Sequence, residues 1–103
     1  MIRQFDLLEN PSSRSRALYP YVVVLQSHLL AASNLTVVAP VLPGEALAVT
    51  LTSVAFDFQG RRFVLLAGEP MTVDAHQLGR ALGSLAAYED EIRRALDRVF
   101  TGF

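Results

Sequence analysis

The sequence contains no cysteine, which excludes a disulfide frame and thiolate chemistry. It contains no lysine either. Nine arginines carry all of its formal positive charge against ten acids, for a net charge of −1. Binding to nucleic acid without sequence preference relies on a clustered basic field against phosphates, and this balance excludes a global field of that kind. Arginine alone suits planar, two-pronged contacts to carboxylates. The opening residues Met1-Ile2-Arg3-Gln4-Phe5-Asp6 hold no apolar signal core behind a basic start. No apolar run is long enough to span a bilayer, so a cytoplasmic protein with no membrane partner is expected. Nucleophile elbows, phosphate-binding glycine loops and dinucleotide motifs are missing too. His28 and His76 lie far apart, and neither has a partner at metal-ligand spacing. The expectation is a protein with no catalytic residue, no metal and no cofactor, which acts by binding macromolecular partners.

What the chain does have is length for one domain, residues 1–103, and a hydrophobic content of 51%. That content is high for a lone small domain. It implies a core built from small residues, or apolar surface that a second subunit covers.

The pattern along the chain predicts mainly β structure. Ile2, Phe5 and Leu7 suggest a short first strand, and residues 10–16 a polar loop. Residues 19–26 form a β-branched and aromatic run, apolar on both faces, as a central strand requires. Residues 35–42 predict a further strand, with Pro40 implying an edge or a bulge. Pro43-Gly44-Glu45 reads as a turn, and residues 47–52 alternate less cleanly. Residues 54–58 and 62–66 flank Gln59-Gly60-Arg61, where Gly60 supplies the positive φ of a tight hairpin. Met71, Thr72 and Val73 suggest a last short strand. Asp74 and Gln77 have capping-box spacing, but Gly79 and Gly83 weaken any helix between them.

From Ser84 onward the period changes. Leu85, Tyr88, Ile92, Leu96, Val99 and Phe100 recur at helical spacing, with charged residues opposite. Glu89 with Arg93, and Asp90 with Arg94, predict pairs worth about 0.3 kcal/mol each. Gly102 sits where a left-handed cap ends a helix. The elements add up to a partly open antiparallel barrel or sheet with one C-terminal helix packed on it.

Two segments invite a functional reading. Ser12-Ser13-Arg14-Ser15-Arg16 has the chemistry to hold a phosphate or an acidic peptide, and equally the composition of a solvated hairpin loop. The end of the chain is bulky: Val99, Phe100 and Phe103 stand where chain ends are usually polar and frayed. A terminal aromatic either tucks into its own core or anchors a partner, at about 2 kcal/mol or more when desolvated.

The chain resembles the CcdB family of plasmid and chromosomal toxins over nearly its whole length. The resemblance is carried by Val23-Val24-Leu25-Gln26-Ser27 with Leu29-Leu30 and Val38-Ala39-Pro40, by Leu78-Gly79, and by the tail from Glu91 to Phe103. It implies an SH3-like barrel with a C-terminal helix, a homodimer, and the toxin of a bacterial type II toxin–antitoxin pair. Such toxins bind the A subunit of DNA gyrase and trap it on cleaved DNA. The resemblance also implies neutralisation by a cognate CcdA-like antitoxin, with repression of transcription by the pair. DNA is then contacted only indirectly, through the antitoxin.

By position, the resemblance places gyrase binding on Leu29, Leu30, Asp97, Phe100, Thr101, Gly102 and Phe103. It places the dimer interface on Leu29, Leu30, Val99 and Phe100, and antitoxin contacts on Arg14, Arg16, Gly44, Glu45 and Leu47. The best-known members carry Trp immediately before the tail glycine, where this chain has Thr101. Two alternatives stay open: an endoribonuclease toxin of the related MazF type, with Arg14 and Arg16 supplying charge, and a non-toxic relative that only binds antitoxin.

Overall fold

A computed structural model describes residues 2–26, 34–44 and 50–101. Seven strands form one curled antiparallel sheet: β1 (Asp6–Glu9), β2 (Tyr21–Val24), β3 (Leu35–Pro43), β4 (Val54–Phe58), β5 (Arg61–Leu65), β6 (Met71–Asp74) and β7 (Gly83–Ser84). Their order is β4-β5-β3-β2-β1-β7, with β6 also on β3. One α-helix among the described residues, α1 (Glu89–Thr101), follows.

Strand β2 is central, between β1 and β3, and both of its faces are covered. Val23 points into the main core with Leu7, Val41, Phe56, Phe63, Leu65 and, from α1, Ile92 and Ala95. Val22 and Val24 point the other way, into a smaller cluster with Leu8 and Val38. The run of valines is therefore explained inside one chain, as strand alternation between two apolar layers requires.

Strand β3 holds the sheet together and sets its curl. Its first half pairs β6 (Leu35 opposite Asp74, Val38 opposite Met71) and its last three residues pair β5 (Val41 opposite Leu65). Pro40 falls where one neighbour gives way to the other. This corrects the expected edge or bulge. Pro40 stands in a central strand opposite Val22, and its carbonyl accepts from the Leu66 N–H at 2.9 Å on the far side. Its missing N–H is directed to that same side, at the gap between β6 and β5, so no ladder bond is lost.

The β4–β5 hairpin closes with Phe58 opposite Arg61. Gln59 (φ 52°) and Gly60 (φ 75°) are both left-handed, the signature of a two-residue type I′ turn. Phe5 also takes a left-handed φ, 71°, at a cost of roughly 1–2 kcal/mol. Its buried ring, its N–H on the Val24 carbonyl (2.7 Å) and its carbonyl under the Leu85 N–H (2.7 Å) hold it there.

The C-terminal helix begins later than its sequence pattern suggests. Gly83 and Ser84 are committed to β1, and Leu85 bonds to Phe5, so the backbone cannot turn helical before Leu85. Ala86–Tyr88 form one 3-10 turn, with the Ser84 hydroxyl accepting from the Ala86 N–H at 3.1 Å. Near Asp74 the cap forms, accepting from the His76 N–H at 2.9 Å, but only the 3-10 turn Ala75–Gln77 follows. Of the two helix pairs, Glu89–Arg93 closes at 2.8 Å; Asp90 and Arg94 form no ion pair among the described residues.

Candidate functional site

The last three turns of α1 divide their apolar side chains between the fold and solvent. Ile92 and Ala95 are buried, Leu96 packs on the core edge, and Phe100 is 75% exposed. Val99 is half-buried beside Gly68, where a Cβ would lie 3.5 Å from Val99 Cγ2 and 2.9 Å from Thr52 Oγ1. The helix register thus docks Val99 on its own chain and leaves Phe100 outside. Thr101 donates its hydroxyl to the Asp97 carbonyl at 2.5 Å, so that donor is used within the helix. The Asp97 side chain is exposed.

Phe100 stands at one side of a groove of about 430 Å³ lined by Gln4, Leu25, Gln26, Val37, Pro70 and Leu96. Its polar groups are largely spoken for. Gln4 Nε2 donates to the Leu25 carbonyl at 2.9 Å, the Leu25 N–H to the Val37 carbonyl at 2.9 Å, and the Val37 N–H to Gln26 Oε1 at 3.3 Å. What remains open is apolar. Burying a side chain such as Phe100 in a partner's surface is worth about 1.5–3 kcal/mol. The arrangement has the chemistry of a protein-docking patch. Leu25 falls one residue past the end of β2, although the sequence pattern places it inside the strand, so its place at the groove was not legible from the pattern.

The expected docking residues fall into three groups. Asp97, Phe100 and Thr101 share the end of α1, whereas Val99 belongs to the fold. Leu29, Leu30, Gly102 and Phe103 lie outside the described residues, as do Glu45 and Leu47. The loop of residues 10–19 is internally bonded. Asn10, 3% exposed, donates from Nδ2 to Ser15 Oγ (2.9 Å) and the Tyr19 carbonyl (2.8 Å), and accepts the Ser12 N–H at 3.0 Å. Arg16 donates from Nε to the Asn10 carbonyl at 2.8 Å and sits 3.6 Å from Glu9. Arg16 is therefore a strut of the loop, while Arg14 is exposed. Gly44 lies against the stem of Arg62: a Cβ there would come within 2.6 Å of Arg62 Cγ.

The two candidate faces lie at opposite ends of β2 and β3. Tyr21, opposite Val41, is at the end that carries the loop and Gly44; Leu25, bonded to Val37, is at the end that carries Phe100. Among the described residues, no three His, Asp or Glu side chains gather as a metal site. None of the described helices is long and apolar enough to cross a membrane.

Comparison with known proteins adds a family and a fold. The family model described as "CcdB protein" matches residues 4–102. No curated protein matches the sequence. A solved endoribonuclease in complex with its cognate antitoxin, from a mycobacterial species, superposes with a TM-score of 0.77 at 14% identity, covering 97% of this chain and 95% of that one. The Mycobacterium tuberculosis toxin MazF-mt6 gives 0.72 at 19% identity, over 95% and 96%. Identities this low speak for the fold alone: a curled antiparallel half-barrel with a C-terminal helix, of the CcdB and MazF type.

Proposed function

The chain belongs to the CcdB family of toxins from toxin–antitoxin pairs, and from that premise we propose that it acts by docking its helix end on the A subunit of DNA gyrase. In this reading the chain is a homodimer, non-enzymatic, cytoplasmic, and neutralised by a CcdA-like antitoxin. The docking residues are Asp97, Phe100 and Thr101 with Leu29, Leu30, Gly102 and Phe103. Leu29, Leu30, Val99 and Phe100 form the two-fold interface in this reading. Arg14, Arg16, Gly44, Glu45 and Leu47 face antitoxin, with Arg16 also bracing its loop through the Asn10 carbonyl.

The observation that carries the reading is Phe100, three-quarters exposed beside an apolar groove at the end of the only α-helix among the described residues. Phe100→Ala removes an anchor and no core contact. Expected is a loss of about tenfold or more in stabilising the gyrase–DNA cleavage complex, with an unchanged melting temperature. Full potency in Phe100→Ala would refute the docking role. Thr101→Trp restores the family's aromatic. A Trp stacked on an arginine is worth about 1–2 kcal/mol when desolvated, so potency is expected to rise roughly tenfold.

A second reading, an endoribonuclease, is favoured by the fold shared with the two solved toxins. It needs a cation at the cleavage site, and Arg14 fits that role better than Arg16, whose guanidinium is engaged by the Asn10 and Pro11 carbonyls of its own loop. RNA cleavage by the purified protein, lost in Arg14→Ala, would establish it.

A further inference from the structure

A separate pocket, of about 330 Å³, lies beside the turn of the β4–β5 hairpin. Three stretches of chain build it: Tyr21 from β2, Phe58 and Gln59 from the hairpin, and Arg80, Ala81 and Leu82 from the segment that leads into β7. Phe58 is its fixed wall. The Tyr21 ring meets Phe58 edge-on, with centroids 5.6 Å apart and planes at 81°, and Phe63 braces Tyr21 in the same way at 5.4 Å and 79°. Gly83 lies against the same ring, where a Cβ would stand 3.2 Å from Phe58 Cε1. Half-buried and braced, Phe58 offers a stacking surface that loses little freedom when a ligand covers it.

Two exposed polar side chains flank this surface. The Gln59 amide and the Arg80 guanidinium make no hydrogen bond or ion pair among the described residues. The backbone of Gln59 is fixed by its left-handed turn, at φ 52°. Acids next to these residues in the sheet are already matched: Glu9, opposite Tyr21, lies 3.6 Å from Arg16, and Asp57, beside Phe58, lies 3.7 Å from Arg62. The charge of Arg80 is therefore available to an anion.

An aromatic wall, an amide and a guanidinium together match the parts of a nucleotide. A base stacks on an aromatic ring. Adenine shows an N6 donor beside an N7 acceptor, and one glutamine amide pairs with both. A guanidinium holds a phosphate with two-pronged hydrogen bonds. The volume falls in the range of small-ligand sites. A single lining cation suits one phosphate group, whereas a strand of nucleic acid needs further cations along its backbone. A simple aromatic acid would leave the Gln59 amide idle.

We propose that this pocket binds a free adenine nucleotide, with the base on Phe58, its N6 and N7 edge on the Gln59 amide, and its phosphate on Arg80.

The test is isothermal titration calorimetry of the full chain with adenosine monophosphate. One site per chain is expected, about tenfold or more tighter for the monophosphate than for adenosine, because only the former reaches Arg80. Arg80→Gln should lower affinity for the monophosphate about tenfold and leave that for adenosine unchanged. Inosine monophosphate, with an oxygen in place of the N6 amine, should bind about tenfold more weakly than its adenine counterpart. Gln59→Gly, which suits the left-handed turn, should erase that difference. Neither substitution removes a described side-chain contact of the fold, so the circular dichroism spectra should match the wild type. The proposal fails if adenosine monophosphate does not bind, if adenosine or inosine monophosphate binds as tightly, or if Arg80→Gln binds it as well as the wild type. It also fails if benzoate binds equally well, which would make the pocket a site for aromatic acids. Tighter binding of a short oligoadenylate, lost in Arg80→Gln, would overturn it too, in favour of a surface that reads RNA.

Discussion

Asn10 uses both halves of its amide. Two donors go to Ser15 and Tyr19 and its oxygen accepts from Ser12, with almost no surface left to water. Removing the amide strands these partners in a partly closed loop, so Asn10→Ala is expected to cost about 1–3 kcal/mol, read as a lower urea midpoint. Arg16 leans on the same residue, through the Asn10 carbonyl. Composition alone showed that residues 10–16 form a polar loop with two cations. It did not show that one cation braces the loop while the other makes no ion pair among the described residues, because that depends on where the Asn10 carbonyl points after folding. Phe100 was legible in another way: apolar bulk near a chain end stood out by itself, but its spacing also fitted the buried stripe. Only the helix register, which turns Val99 toward Gly68, separates the docked residue from the exposed one.

Element by element, local chemistry was readable wherever the turn or strand was self-contained. The β4–β5 hairpin was fixed by Gly60, and the structure extends the requirement to Gln59. Gly60→Ala places a Cβ in a left-handed position and should cost roughly 1 kcal/mol; Gln59→Gly should stabilise by a few tenths, both visible in thermal melts. Pro40 and the start of α1 were misjudged for a common reason: each is decided by a distant strand. Pro40 is tolerated because two different strands flank the far side of β3, and the helix is delayed because Ser84 pairs with Asp6. The helix is held mainly by Ile92, which is fully buried with Ala95 among the residues of the sheet's inner face. Ile92→Ala should cost about 2–5 kcal/mol in chemical denaturation, several times the worth of the exposed Glu89–Arg93 pair.

For the molecule as a whole, the hydrophobic content had two explanations, a core of small residues or a covered interface. The double-sided sheet, apolar on both faces of β2, accounts for much of it within one chain. Of the exposed large apolar side chains among the described residues, Leu18, Leu35, Leu51, Met71 and Leu82 lie outside the groove at the end of α1, and Phe100 alone lines it. If two copies meet there, sedimentation velocity should show a dimer that Phe100→Asp converts to monomer, with the circular dichroism spectrum unchanged. A monomer in both proteins would confine Phe100 to binding a different partner. The fold class was legible because strand and helix periods are local properties. The groove was not, because Gln4, Leu25, Val37, Pro70 and Leu96 come from five separate stretches of sequence.

The separation of the loop end from the Phe100 end along β2, roughly 10 Å over its four residues, bears on how a bound target could leave. Two visitors competing for one seat exchange only after the first has departed, and the departure rate then ignores the newcomer's concentration. Distinct seats allow a ternary intermediate. A neutraliser that lands at the loops and reaches along the strands would hasten release in proportion to its own abundance, which a stopped-flow chase at rising neutraliser concentrations would register.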